Sequence, residues 1–236
     1  MIDALDHLAI AGDAAIYETL LGRRVVDGRL QTRNVGLTFG ATGDPLAKMV
    51  FATASLDGAE RLLGRRAVPT TRATLLEIDA AASHGTPIAP VERHQAPAPS
   101  PLSCDEAAAI AELDHVVIRS PHPERAIAFY AGRLGLDLRL DRSNPQWGAR
   151  LLFFRCGDLV VEIAHDLKKG VSDAPDTLWG LSWRATDIAA AQARLKAAGV
   201  AVSEVKPGRR PGTEIVAVSS HTAGVPTILI GGQRHW

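Results

Sequence analysis

A single carboxylate interrupts an otherwise apolar run in the second half of the chain. Glu162 lies in the run Leu-Val-Val-Glu-Ile-Ala, which is typical of a β-strand. Because side chains alternate along a strand, Glu162 shares a face with Val160 and Ala164, and we expect it to point into a cavity. A buried carboxylate is costly unless it is paired or coordinated. Glu162 is therefore predicted either to bind Arg119 or Arg150, or to take part in chemistry such as proton transfer.

Two histidines occupy the same short motif in the two halves of the chain. Leu5–Ile10 reads Leu-Asp-His-Leu-Ala-Ile and contains His7, and Leu113–Ile118 reads Leu-Asp-His-Val-Val-Ile and contains His115. A histidine on a strand is often a hydrogen-bonded core group, but imidazole is also a common metal ligand. The residues alone leave both interpretations of His115 open.

The motif belongs to a longer internal repeat. Phe51–Leu56 resembles Trp183–Ile188, and each of these segments leads into an Ala- and Leu-rich helix. The corresponding copies close with Gly85–Ile88 and Gly224–Thr227. Each of four units has a β-branched run, one helix of about ten residues, and two or three further strand-like runs. Repeats of this size indicate duplicated supersecondary units.

A proline-rich segment separates the two halves. The sequence Ala-Pro-Ala-Pro-Ser-Pro begins at Ala96 and is typical of a semi-rigid linker. We therefore predict an N-terminal domain of two shortened units at residues 1–95, a linker at residues 96–112, and a C-terminal domain of two units at residues 113–236.

Composition excludes several classes of protein. Lys and Arg number 26 and Asp and Glu also number 26, so there is no basic excess to favour a nucleic acid or a membrane surface. The 46% of hydrophobic residues is typical of a globular chain. Cys104 and Cys156 lack metal-like spacing and are too few for a disulfide scaffold. With no signal peptide recognised, we expect a cytoplasmic protein.

The four units, of which the first and third open with Leu-Asp-His, resemble the vicinal oxygen chelate superfamily, which is glyoxalase-like and includes bleomycin resistance proteins and extradiol dioxygenases. The resemblance is strongest at residues 113–165, strong at 178–231 and weaker at 1–92. It implies an α+β fold in which paired βαβββ modules form two half-open curved sheets. It also implies that a small-molecule substrate or ligand binds in the mouth of a sheet.

The resemblance further implies a divalent metal ion, held by residues on the first and fourth strands of two paired modules. His115 takes the first-strand position and Glu162 the fourth-strand position of the third module, and His7 takes the first-strand position of the first module. Imidazole and carboxylate suit Fe, Mn, Ni or Zn, so the metal is not identified. If the first and third modules pair, these residues form a set of two histidines and one carboxylate.

Other ligand positions of the superfamily carry no suitable donor in this chain. They are Lys48 or Met49 and Ala89 in the second module, and Gly180 and Ile228 in the fourth. A lysine is a poor ligand at neutral pH, because its amine is protonated. Two functions follow. The first is a metal-dependent enzyme of isomerase, lyase or dioxygenase type, acting on vicinal oxygens with Glu162 as its catalytic residue.

The second function is a metal-free small-molecule-binding protein of the bleomycin-resistance type, in which the metal site is degenerate. The missing donors favour this alternative, whereas the pair of His115 and Glu162 favours the enzyme. A homodimer is compatible with both, because modules of this superfamily pair within one chain or across a dimer.

Overall fold

Strands dominate residues 2–232, the part of the chain that this computed structural model describes. The strands are β1 Ile2–Ile10, β2 Arg29–Gln31, β3 Gly36–Phe39, β4 Leu46–Thr53, β5 Thr70–Arg72, β6 Leu76–Ile78, β7 Ile88–Glu92, β8 Ile110–Arg119, β9 Asp137–Asn144, β10 Ala149–Cys156, β11 Leu159–Asp166, β12 Thr177–Ala185, β13 Lys206–Pro207, β14 Thr213–Val218 and β15 Thr227–Gly232. The helices are α1 Ala14–Leu21, α2 Leu56–Arg65, α3 Pro123–Ile127 and α4 Ile188–Ala197. None of these helices is long and apolar enough to cross a bilayer.

The strands form two large sheets and one small hairpin. One sheet has the order β2-β3-β1-β4-β7, and the other has the order β13-β14-β15-β12-β8-β11-β10-β9, while β5 pairs with β6 alone. The third and fourth modules are complete βαβββ units, and in each the last strand runs parallel to the first. The first module consists of β1, α1, β2 and β3. The predicted α+β fold of βαβββ modules is confirmed.

The described residues divide into two compact units. One comprises the described part of Met1–Leu8 with Lys48–Ala96 and His115–Trp179, and so contains most of the second and third modules. The other comprises Ala9–Ala47, Pro97–Asp114 and the described part of the segment from Gly180 onward. The domain boundary at residues 96–112 stays a prediction.

Local sequence signals determine where the helices begin. Asp187 is a typical N-cap residue, and its side chain accepts hydrogen bonds from the backbone N–H groups of Ala189 and Ala190 at 2.9 and 3.0 Å at the start of α4. Ser55 caps α2 in the same way. Pro123 begins α3, where its fixed φ suits the first helical position, and the helix continues beyond α3 as a π-helical turn, Ala128–Arg133.

Side chains along the strands of the third module alternate between a buried face of the sheet and a half-exposed face. Leu152, Phe154, Val161 and Ile163 are fully buried. The ring of Phe154 lies 5.6 Å from that of Tyr130, which belongs to the π-helical turn. The helix therefore covers one face of the sheet and leaves the other available for a site.

Candidate functional site

The half-exposed face of β8–β11 is here called the open face. Its side chains lie in rows, because residues opposite each other on paired strands share a face. One row runs Val117, Glu162, Phe153 and Leu140, from β8 to β9. The next row runs Arg119, Ala164, Leu151 and Arg142. Glu162 thus lies in a mainly apolar surface, as its strand pattern predicts.

His115 and Glu162 meet on the open face. The Nε2 atom of His115 lies 3.4 Å from Oε2 of Glu162. The two side chains are 15% and 14% exposed, so ligands can reach them although most of their surface is out of water. His115 is opposite Val160 on β11, so it contacts Glu162 diagonally across neighbouring strands. Sequence analysis named both residues, and the structure brings them together.

Arg150, one of the two arginines predicted as partners for Glu162, binds other carboxylates. Its Nε and Nη2 atoms donate to the two oxygens of Asp141, both at 2.8 Å, and its Nη1 atom donates to Glu124. These hydrogen bonds hold the pKa of Asp141 and that of Glu124 below their usual values. Arg150 is opposite His165, next to Leu151, and its side chain therefore belongs to the face opposite Glu162.

Arg119, the other predicted partner, stacks on an indole. Its Cζ atom lies 4.1 Å from the centre of the Trp179 ring. A similar pair occurs at the far end of the same row, where Cζ of Arg142 lies 5.4 Å from the centre of the Trp147 ring. The sequence does not predict the Arg119–Trp179 pair, because Trp179 is sixty residues away and only the folded chain brings it to Arg119.

His7 lies on β1 beside a carboxylate of its own motif. Its Nδ1 atom is 2.7 Å from Oδ2 of Asp6, and Oδ1 of Asp6 is 3.1 Å from Nη1 of Arg93. A carboxylate at Nδ1 orients the ring and directs Nε2 outward, as it does in many histidine ligands. Within residues 2–232 no group of three or more His, Cys, Asp or Glu side chains has a metal-holding arrangement.

The register identifies the positions that correspond to His115 and Glu162 in other modules. His115 precedes the helix N-cap His122 by seven residues, as Gly180 precedes Asp187 and Lys48 precedes Ser55. Lys48 binds Glu77, with Nζ 2.6 Å from Oε1.

Glu162 lies two residues beyond the partner of His115 on the parallel strand. The same count along β7 and β15 leads to Ala89 and Ile228, because Met49 is opposite Ile88 and Leu181 is opposite Thr227. Ala89 and Ile228 therefore correspond to Glu162, and Gly180 corresponds to His115. None of these three side chains has a donor atom for a metal.

His165 is buried, whereas the strand pattern predicts that it lies at the surface. The spacing from Glu162 predicts the opposite face, at the surface of the protein. The opposite face is observed, but the residue is only 4% exposed and its Nδ1 atom lies 3.1 Å from the backbone oxygen of Ser120. That face of β11 is buried, since Ile163 and Val161 beside His165 are fully covered.

Solved structures of two catechol dioxygenases and of a synthase have a similar fold. A catechol 2,3-dioxygenase superposes with a TM-score of 0.72 over 99% of this chain and 89% of the other, at 17% identity. BphC, a halotolerant catechol dioxygenase, gives a TM-score of 0.69 over 98% and 87%, at 16% identity. A mutant 4-hydroxymandelate synthase from Streptomyces coelicolor gives 0.71 over 100% and 95%, at 13% identity. At such identities the likeness shows the fold alone.

A family relationship is visible in the sequence of the second half. Residues 112–224 match the model of the Glyoxalase/Bleomycin resistance protein/Dioxygenase superfamily. That segment contains His115, Glu162 and the open face, and it belongs to this superfamily. No curated protein sequence matches the chain significantly.

Proposed function

We propose that this protein is a metal-dependent enzyme of isomerase, lyase or dioxygenase type, acting on a small substrate with vicinal oxygens. The observation that carries the proposal is the pair of His115 Nε2 and Glu162 Oε2, 3.4 Å apart on the open face. An imidazole and a carboxylate that meet on a partly exposed surface are suited to bind a divalent cation. The match of residues 112–224 to the Glyoxalase/Bleomycin resistance protein/Dioxygenase superfamily supports this class of function.

The donor set fits a divalent metal as two protein ligands. His115 and Glu162 would hold the ion, which leaves coordination positions for water and for two neighbouring substrate oxygens. Such an ion supplies Lewis acidity, which stabilises negative charge on a substrate oxygen. Glu162 would accept or return a proton at an adjacent carbon. Phe153 and Leu140, in the row of Glu162, would pack against the substrate body and exclude water.

His7 is proposed as a third ligand on the sequence pattern alone. Its Nδ1 atom is engaged by Asp6, so a metal would have to bind at Nε2. The proposal that His115 and Glu162 hold the ion does not depend on His7.

Elemental analysis of the purified protein tests the metal site. We expect close to one equivalent of a divalent transition metal in the wild type, and a loss of affinity of at least about tenfold in Glu162→Gln and in His115→Ala. Glu77→Gln is the matched control, because Glu77 binds Lys48 rather than a histidine. Metal contents that are the same in all four proteins would overturn the proposal.

The alternative function is a metal-free binding protein of the bleomycin-resistance type. Ala89, Gly180 and Ile228 at the remaining ligand positions favour it. In that case the purified protein would contain no metal, and an apolar or aromatic compound would raise its melting temperature in proportion to ligand concentration.

A further inference from the structure

We infer that Arg119 is a specificity-determining residue, which binds a carboxylate on the ligand of the open face at a distance from the reacting oxygens. The inference deepens the proposed function and depends on it for the location of the reacting group. The ligand class is therefore a small carboxylic acid with an apolar or aromatic body and a separate pair of vicinal oxygens.

The position of Arg119 relative to Glu162 supports this inference. Glu162 is opposite Val117, and Arg119 is two residues further along β8 on the same face. Two residues of a strand span about 7 Å, which is comparable to the length of a substituted aromatic ring. His115 lies two residues before Val117, at the other end of this stretch of β8. The His115–Glu162 pair and Arg119 can thus engage opposite ends of one small molecule.

The surface between these two ends is apolar and half-exposed. Ala164, which is opposite Arg119, has a small side chain, and Leu151 and Phe153 on β10 continue the surface. All three are half-buried rather than fully covered. An aromatic or alkyl body would remove this apolar surface from water, which favours binding.

The guanidinium of Arg119 is available to a ligand. It forms no ion pair or hydrogen bond with any residue that the structure describes, and it stacks on the Trp179 ring. Arg142, at the other end of the row, is in the same state over Trp147. Arg150, on the opposite face, is by contrast bound to two carboxylates. Among residues 2–232, neither of these two arginines of the open face has an acidic partner, and their positive charges favour an anionic ligand.

Trp179 orients the guanidinium of Arg119 for binding a carboxylate. Stacking on an indole holds the planar guanidinium in one orientation while its edge still presents donors in the fork that matches a carboxylate. Less conformational entropy is then lost when the ligand binds. Arg142 lies on β9, two strands away from Glu162, and contributes mainly positive potential.

Calorimetric titration of the metal-free protein tests the inference. The two probes are 3,4-dihydroxyphenylacetate and its neutral analogue 4-ethylcatechol, which share the vicinal oxygens and differ in the carboxylate. We expect the wild type to bind the acid at least about tenfold more tightly than the neutral analogue. A hydrogen bond between charged groups usually contributes an affinity difference of this size. Arg119→Gln should remove this preference, and Arg119→Lys should keep part of it.

Arg139→Gln is the control for net charge. Arg139 is exposed on the same sheet, bound to Asp137 at 2.9 Å, and its replacement should leave the preference unchanged. Trp179→Leu keeps Arg119 but removes its platform, and should reduce the preference even if Arg119→Gln folds poorly. Equal binding of the two probes to the wild type, no detectable binding of the acid, or an unchanged preference in folded Arg119→Gln would overturn the inference. Since no metal is present, these results are independent of the elemental analysis.

Discussion

Arg184 donates through Nε and Nη2 to the same oxygen of Asp114, at 3.0 and 2.6 Å. Asp114 is the aspartate of the second Leu-Asp-His motif, and both residues are buried. In the first motif Asp6 is bound by Arg93. Each aspartate is therefore held by an arginine of the following module. In the second motif the buried aspartate is structural, and the neighbouring His115 lies on the other face of the strand, where it meets Glu162.

Replacing Arg184 is expected to destabilise the protein strongly. Arg184→Leu would leave Asp114 as a buried charge without this partner, at a cost of about 3–5 kcal/mol in the free energy of unfolding. Urea denaturation followed by circular dichroism measures this change. Arg72→Leu is the control, since Arg72 forms an exposed pair with Asp57 and should alter stability little. Similar losses in the two variants would contradict the structural role of Asp114.

Replacing His7 distinguishes the contributions of the two Leu-Asp-His motifs to metal binding. We expect His7→Ala to lower the metal affinity less than Glu162→Gln does, because Glu162 lies beside His115, whereas within residues 2–232 His7 belongs to no metal-holding group of three or more side chains. Competition with a chelator of known affinity measures both. Equal losses in the two variants would instead identify His7 as a full ligand.

The stability of the protein should depend on the protonation of His84. Burial lowers the pKa of this imidazole, and the nearby Arg125 lowers it further. The folded state therefore prefers neutral His84, so this contribution is complete above the pKa of the unfolded chain, about 6.5, and is lost as the pH falls through the folded pKa. The melting temperature should fall more between about pH 7.5 and 5.5 in the wild type than in His84→Asn.

His221→Asn is the matched control for that experiment. His84 and His221 both adopt positive φ, at 56° and 55°, which asparagine tolerates well. The substitutions therefore make similar demands on the backbone. A pH dependence that is unchanged in His84→Asn would show that another group is responsible.

The two thiols should react at very different rates. Cys156 is 2% exposed and burial raises the pKa of its thiol, so both access and thiolate formation are suppressed. Cys104 is half-buried, and we expect it to react first with Ellman's reagent in the native protein. In Cys104→Ser the remaining thiol should react only as fast as the protein opens. Rapid reaction of that variant under native conditions would contradict the burial of Cys156.

Local signals in the sequence determined the modules and much of the candidate site. Asp187 caps α4 because its carboxylate needs only the next few backbone N–H groups, which are adjacent in the chain. Alternation was enough to place Glu162 and His165 on opposite faces of β11, since this depends only on strand geometry. The repeated motif identified His7 and His115 as related positions.

Only the tertiary structure decided which side chain Glu162 contacts. Glu162 meets His115 rather than Arg119 or Arg150, because strand register and the stacking of Arg119 on Trp179 depend on segments that are distant in sequence. The burial of His165 likewise depends on what covers its face of the sheet. Side-chain direction is a property of a few neighbouring residues, whereas contact is a property of how separate strands align and what packs on them.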